Sequence, residues 1–164
     1  MTRLTNYEVT AIVKKDILGL LKLDEPLNVF CPDANYCLYS EDFLSGKGYD
    51  RFKKWLIQRE LFGWEHTFDC DNFAEAYRVF LQIVHARSQK DKDDNSRKQS
   101  VAVGVVWYTR DKGGGHAINI VISKEKGDEG ANINTCFVKY LEPQTGEFVE
   151  LSHKEKESIS YVLL

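Results

Sequence analysis

The sequence has no uninterrupted apolar run near the roughly 20 residues that span a bilayer, and its start, Met1-Thr2-Arg3-Leu4-Thr5-Asn6-Tyr7-Glu8, lacks the apolar centre of a secretory signal. The chain is therefore expected in the cytoplasm, with no membrane as partner. It has no basic excess either: 22 Lys and Arg stand against 25 Asp and Glu, a formal net charge of −3. That balance gives phosphate backbones no general attraction, so no nucleic acid is expected as a partner. Cysteine is sparse, at Cys31, Cys37, Cys70 and Cys136. A reducing compartment keeps these as thiols, so no disulfide is expected. They also lack the close pairs of a structural zinc site, since five residues separate Cys31 from Cys37 and the other two stand alone.

What is present is ordinary globular material. Hydrophobic residues at 43% and charged residues at 29% argue against wholesale disorder. A length of 164 residues suits one domain with a sizeable core and is short for two. The expected fold class is α+β, a single domain over residues 1–164. Its N-terminal part, 1–62, reads as helical, and 63–164 as a central Cys-bearing helix packed on a mostly antiparallel sheet of about five strands.

Apolar residues at Val9, Ile12, Val13, Ile17, Leu20 and Leu21 follow the three-and-four spacing of a helix from about Asn6 to Leu23. Residues 24–48, interrupted by Pro26, Pro32, Asn35, Gly46 and Gly48, read as loop. A second helix is expected over Tyr49–Phe62, with Phe52, Trp55, Leu56 and Leu61 inward and Gly63 stopping it as a left-handed residue. Trp64, Glu65 and His66 then lead into Phe68-Asp69-Cys70-Asp71-Asn72-Phe73-Ala74, where a long helix begins and runs through Arg87. Two polar segments, Ser88–Ser100 and Lys124–Asn134, read as surface loops. Beyond the first, the pattern turns extended: Val101–Tyr108 and Ile118–Ile122 form a hairpin around Gly113-Gly114-Gly115, with His116 at the start of the second strand. Strands over Thr135–Leu141, Glu147–Leu151 and Ile159–Leu164 complete the sheet, and Pro143 places Glu142 and Gln144 at a strand end.

Cys70 carries the chemistry of interest. Unpaired N–H groups and the positive end of a helix dipole favour a thiolate over a thiol. A free cysteine also packs readily as a small buried hydrophobe, so both readings stand until the neighbours are placed. The order Cys70, His116, Glu142 supplies what thiol-mediated acyl transfer needs: a nucleophile, an imidazole to move its proton, and a carboxylate to orient the ring.

The segments Asp69-Cys70-Asp71-Asn72-Phe73-Ala74, His116-Ala117-Ile118-Asn119 and Glu142-Pro143-Gln144 resemble papain-like cysteine peptidases, and most nearly the peptidase-like C-terminal domain of a mushroom agglutinin and related small phage and bacterial domains. The resemblance covers about Gly63–Leu164. It implies Cys70 as nucleophile, His116 as acid–base and Glu142 as orienting carboxylate in a thiol hydrolase cleaving an amide bond of a peptide or cell-wall-type substrate. It requires no cofactor; calcium is the ion the agglutinin relatives use, with Asp69 and Asp71 as its candidate ligands here beside a simple helix-capping role. The sequence departs from papain in having no Gln shortly before the thiol, which leaves Trp64 or Gln144 as oxyanion or substrate-binding donors. That gap, with the two acidic neighbours of Cys70, supports the other function class: a non-catalytic peptidase-like module, viral in origin, that binds a protein partner.

Overall fold

The computed structural model describes residues 3–19, 26–63, 68–90, 99–124, 132 and 134–164. Its organising element is a six-stranded sheet in the order β2-β9-β5-β6-β7-β8, comprising Asn28–Phe30, Tyr161–Leu163, Val103–Thr109, Gly115–Lys124, Cys136–Glu142 and Glu147–Val149. All its pairings are antiparallel except β2 with β9. A smaller sheet, β1-β3-β4, joins Arg3–Thr5, Asn35–Cys37 and Ser100–Val101. Four helices are described: α1 (Asn6–Leu18), α2 (Gly48–Ile57), α3 (Cys70–Ser88) and α4 (His153–Glu157), and a π-helical turn at Phe43–Lys47 feeds α2.

The alternation of the strands divides the core. Val106, Tyr108, Ile118, Ile120 and Tyr140 pack with Val9, Ile12, Val13 and Ile17 of α1. On the opposite face Val103, Val121 and Leu141 meet Phe52 and Leu56 of α2 and Phe73, Tyr77 and Leu81 of α3. Full burial of such an aliphatic side chain contributes about 1.5–3 kcal/mol, so both faces have reason to stay covered. β6 is buried at eight successive positions, His116–Ser123, as a central strand covered on both faces should be.

Helix ends explain where the structure departs from the spacing argument. α1 starts with a capping box, in which Thr5 N–H donates to Glu8 Oε2 at 2.8 Å and Glu8 N–H to Thr5 Oγ1 at 3.2 Å. It ends at Leu18, before Gly19, rather than near Leu23; Leu20 and Leu21 lie outside the described residues. α2 stops at Ile57, and the left-handed residue is Glu60 (φ 57°) rather than Gly63. Glu60 N–H donates to the Ile57 carbonyl and Leu61 N–H to the Leu56 carbonyl, a Schellman closure that needs no glycine.

On α3, Phe73, Ala74, Tyr77, Phe80, Leu81 and His85 are buried, and Val79 is exposed. The expected loop over 24–48 contains two short strands, and the segment after Leu151 is the helix α4, capped by Ser152. Most of the two polar loops, 91–98 and 125–131, lies outside the described residues.

Candidate functional site

Cys70 is the first residue of α3, and Asp69 before it is the N-cap, donating its N–H to Asn72 Oδ1 at 3.3 Å. The helix is held on the sheet from below. Asn119 of β6, wholly buried, donates through Nδ2 to the Ala74 carbonyl and to the Gly104 carbonyl, each at 2.9 Å. One side-chain amide thus fixes the first turns of α3 to β5 and β6. Half-buried Cys70 packs with Trp107 against a small patch of Ala74, Val105 and Ala117.

His116 and Glu142 are brought together. His116 Nε2 lies 2.7 Å from Glu142 Oε2, with the ring almost fully buried. The other ring nitrogen is also taken: Arg110 Nη2 donates to His116 Nδ1 at 2.6 Å. A guanidinium has only donors, so Nδ1 accepts and the ring proton sits on Nε2, directed at Glu142. Tyr108, the cross-strand partner of His116, covers the ring edge-on with centroids 5.7 Å apart.

Successive residues of β6 leave opposite faces of the sheet. Ala117 and Asn119 face α3, whereas His116 alternates with them and belongs with Ile118 and Ile120. Cys70 Sγ makes no hydrogen bond to His116 among the described residues. The hydrogen-bonded thiol–imidazole pair is a different one: Cys37 Sγ lies 3.6 Å from His85 Nδ1, which also lies 3.3 Å from the Tyr39 hydroxyl. Burial pushes the Cys37 thiol up to about 11, so that pair is packed rather than ionised.

The turn carrying Glu142 is positioned from the N-terminal helices. Tyr49 of α2 donates its hydroxyl to the Gln144 carbonyl at 2.7 Å, and Gln144 N–H donates to Glu142 Oε1 at 3.1 Å. Gln144 makes both contacts through its main chain, and Trp64, the other candidate donor, lies outside the described residues together with Glu65 and His66. Gly146 (φ 78°) closes the turn beneath the Tyr49 ring, where an added Cβ would stand 2.4 Å from Tyr49 Cδ1.

Asp69, Cys70 and Asp71 place one ligand atom each within 4.8 Å of one another. Calcium takes six to eight oxygens, and this group offers two carboxylates and a sulfur, so the trio alone does not fit that ion. Hydrogen bonding to Asp71 holds the Asp69 carboxyl above its usual range.

Sequence reasoning passed over three contributors: Arg110, Asn119 and Tyr49. Arg110 reads as a solvated turn residue in Arg110-Asp111-Lys112. What aims it is the hairpin: Gly113 (φ 86°) and Gly114 (φ 88°) close a bend in which Arg110 N–H donates to the Gly114 carbonyl at 3.0 Å. The register that results, Tyr108 opposite His116, sets Arg110 beside the ring.

No protein-family model and no curated protein matches the chain. Solved structures do. A structure described as a PSL1a–E64 complex superposes with a TM-score of 0.64 at 18% identity, over 99% of this chain and 51% of that one. The Polyporus squamosus lectin bound to the human-type influenza-binding epitope Neu5Aca2-6Galb1-4GlcNAc gives 0.63 at 20% identity, over 99% and 49%. The chain thus spans about half the length of the solved chains it matches, and the likeness is one of fold. These neighbours correct the expected assignment as a hydrolase and thiol protease: the matched chains are lectins, both ring nitrogens of His116 have partners, and Cys70 sits in apolar packing. The chain has an α+β fold of the mushroom-agglutinin type.

Proposed function

We propose that this chain is a non-catalytic interaction module that binds a protein or peptide partner at the end of the sheet where Arg110, His116 and Glu142 meet. One observation carries the reading: the Arg110–His116–Glu142 chain of hydrogen bonds uses both imidazole nitrogens and leaves none for Cys70. A base must have a lone pair within reach of the proton it removes. In this arrangement the ring instead holds Arg110 and Glu142 in place, and the exposed guanidinium presents its remaining donors to a ligand. The likeness in fold to a lectin supports a scaffold used for recognition. The lectin's glycan belongs to a chain about twice this length, so the partner class is argued from this chain's own polar cluster.

The test is incubation with a random peptide library, followed by mass spectrometry of peptides and protein. The expected result is intact bound peptide, Cys70 without an acyl adduct, and weaker capture by Arg110→Ala. Cleavage by the native chain that disappears in Cys70→Ala would overturn the proposal.

A further inference from the structure

The second half of β7 is paired on both sides, with Tyr140, Leu141 and Glu142 opposite Val149, Phe148 and Glu147 of β8. Its first half is not. Phe137, Val138 and Lys139 pair with β6 on one side, and no strand among the described residues pairs with them on the other. A cleft of about 340 Å³ lies at this open edge. Its lining comes from both faces of the sheet: Phe137, Lys139 and Phe148 from one, Val138, Tyr140 and Leu151 from the other. A cleft that wraps round a strand edge is the space an added strand would fill.

The backbone is aimed accordingly. The Glu142 carbonyl accepts from Gly146 N–H on the β8 side. Main-chain groups alternate along a strand, so those of Tyr140 and Val138 point the same way. Tyr140 meets β8, whereas Val138 faces the cleft. Lys139 gives the edge its charge: it is over a third exposed, makes one ion pair with Glu41 at 2.6 Å, and lies 5.8 Å and 5.3 Å from the Phe137 and Phe148 ring centroids. Lys156 also lines the cleft but is engaged by both Asp16 oxygens at 3.0 Å, and Glu150 is the one carboxylate in the lining.

We infer that the open edge of β7 captures an extended peptide by strand addition beside β8, with acidic side chains toward Lys139 and apolar ones toward Val138, Tyr140 and Leu151. Main-chain hydrogen bonds supply the affinity in this mode and alternate side chains the selectivity. The surface lies away from the Arg110–His116–Glu142 end and does not depend on how that end is used.

The probe is a fluorescein-labelled octapeptide alternating valine and glutamate, read by fluorescence anisotropy against the full chain. Binding is expected, with a loss of about tenfold or more when the alternate amides that face the protein are N-methylated and little change when the outward set is methylated, since each lost main-chain bond removes a factor of about five. Lys139→Glu should reverse the preference toward the valine–lysine peptide. The inference is overturned if the two methylation patterns bind alike, if Lys139→Glu leaves the preference unchanged, or if the probe fails to bind. Failure accompanied by self-association in sedimentation would assign the edge to a second copy.

Discussion

The Tyr49 hydroxyl donates to the Gln144 carbonyl at 2.7 Å across 95 positions of sequence, joining a helix of the N-terminal half to the turn that carries Glu142. The same ring covers Gly146 so closely that no side chain fits beneath it. Substituting Gly146→Ala combines a disfavoured positive φ with a clash and should cost about 1–3 kcal/mol in urea unfolding. Tyr49→Phe removes one hydrogen bond and keeps the packing, so about 1 kcal/mol is expected. A loss from Gly146→Ala smaller than that from Tyr49→Phe would contradict the packing argument.

Asn119 gives a second prediction. Its Nδ2 satisfies two carbonyls on different elements from a fully buried position. Asn119→Ala should destabilise by about 1–3 kcal/mol, through the loss of two buried hydrogen bonds that tie α3 to the sheet. Amide exchange checks the location of the effect: protection should fall first in the opening turns of α3 and least in α1.

The tyrosines set an alkaline limit. Burial pushes Tyr36 up to about 12, and burial followed by the charges of Glu142 and Glu147 does the same for Tyr49. Tyr140 is raised further, by burial and by Asp16, whose Oδ2 accepts its hydroxyl at 2.7 Å. In each case the folded chain holds its proton more tightly than the unfolded chain, whose tyrosines ionise near about 10. Their contribution is therefore complete below about pH 10 and is lost as pH rises toward the folded values. Unfolding free energy measured from pH 8 to 11.5 should be flat and then fall, with a shallower fall in Tyr49→Phe. A rise above pH 10 would be inconsistent with these environments.

How much of this was legible in the sequence depends on the range of the interaction. The hairpin around Gly113-Gly114-Gly115, the strand ending before Pro143 and the helix opening at Cys70 all follow from periodicity and turn chemistry, which are local. The pairing of Ile118 and Ile120 with α1, and of Val121 with α3, follows from alternation once β6 is known to be central. What stayed hidden was long-range or stereochemical. Nothing near Tyr49 signals Gln144, and the left-handed conformation of Glu60 is set by backbone closure rather than residue preference. At the site, the sequence order brings His116 and Glu142 together at the ends of β6 and β7. It carries no information on Arg110 Nη2 reaching the ring nitrogen that a thiol would need, and that contact changes what the cluster can do.

Cysteine reactivity tests the site most directly. The thiols of Cys31, Cys37 and Cys136 are held up by burial and should alkylate slowly, Cys37 slowest. The decisive quantity is the iodoacetamide rate at Cys70 in the native chain and in His116→Gln, followed from pH 6 to 9 with folding verified by circular dichroism. With both imidazole nitrogens bound elsewhere, the two rates should agree within about twofold at every pH. A Cys70 that labels rapidly at pH 6 and slows by an order of magnitude or more in His116→Gln would show a working thiol–imidazole pair and contradict the account.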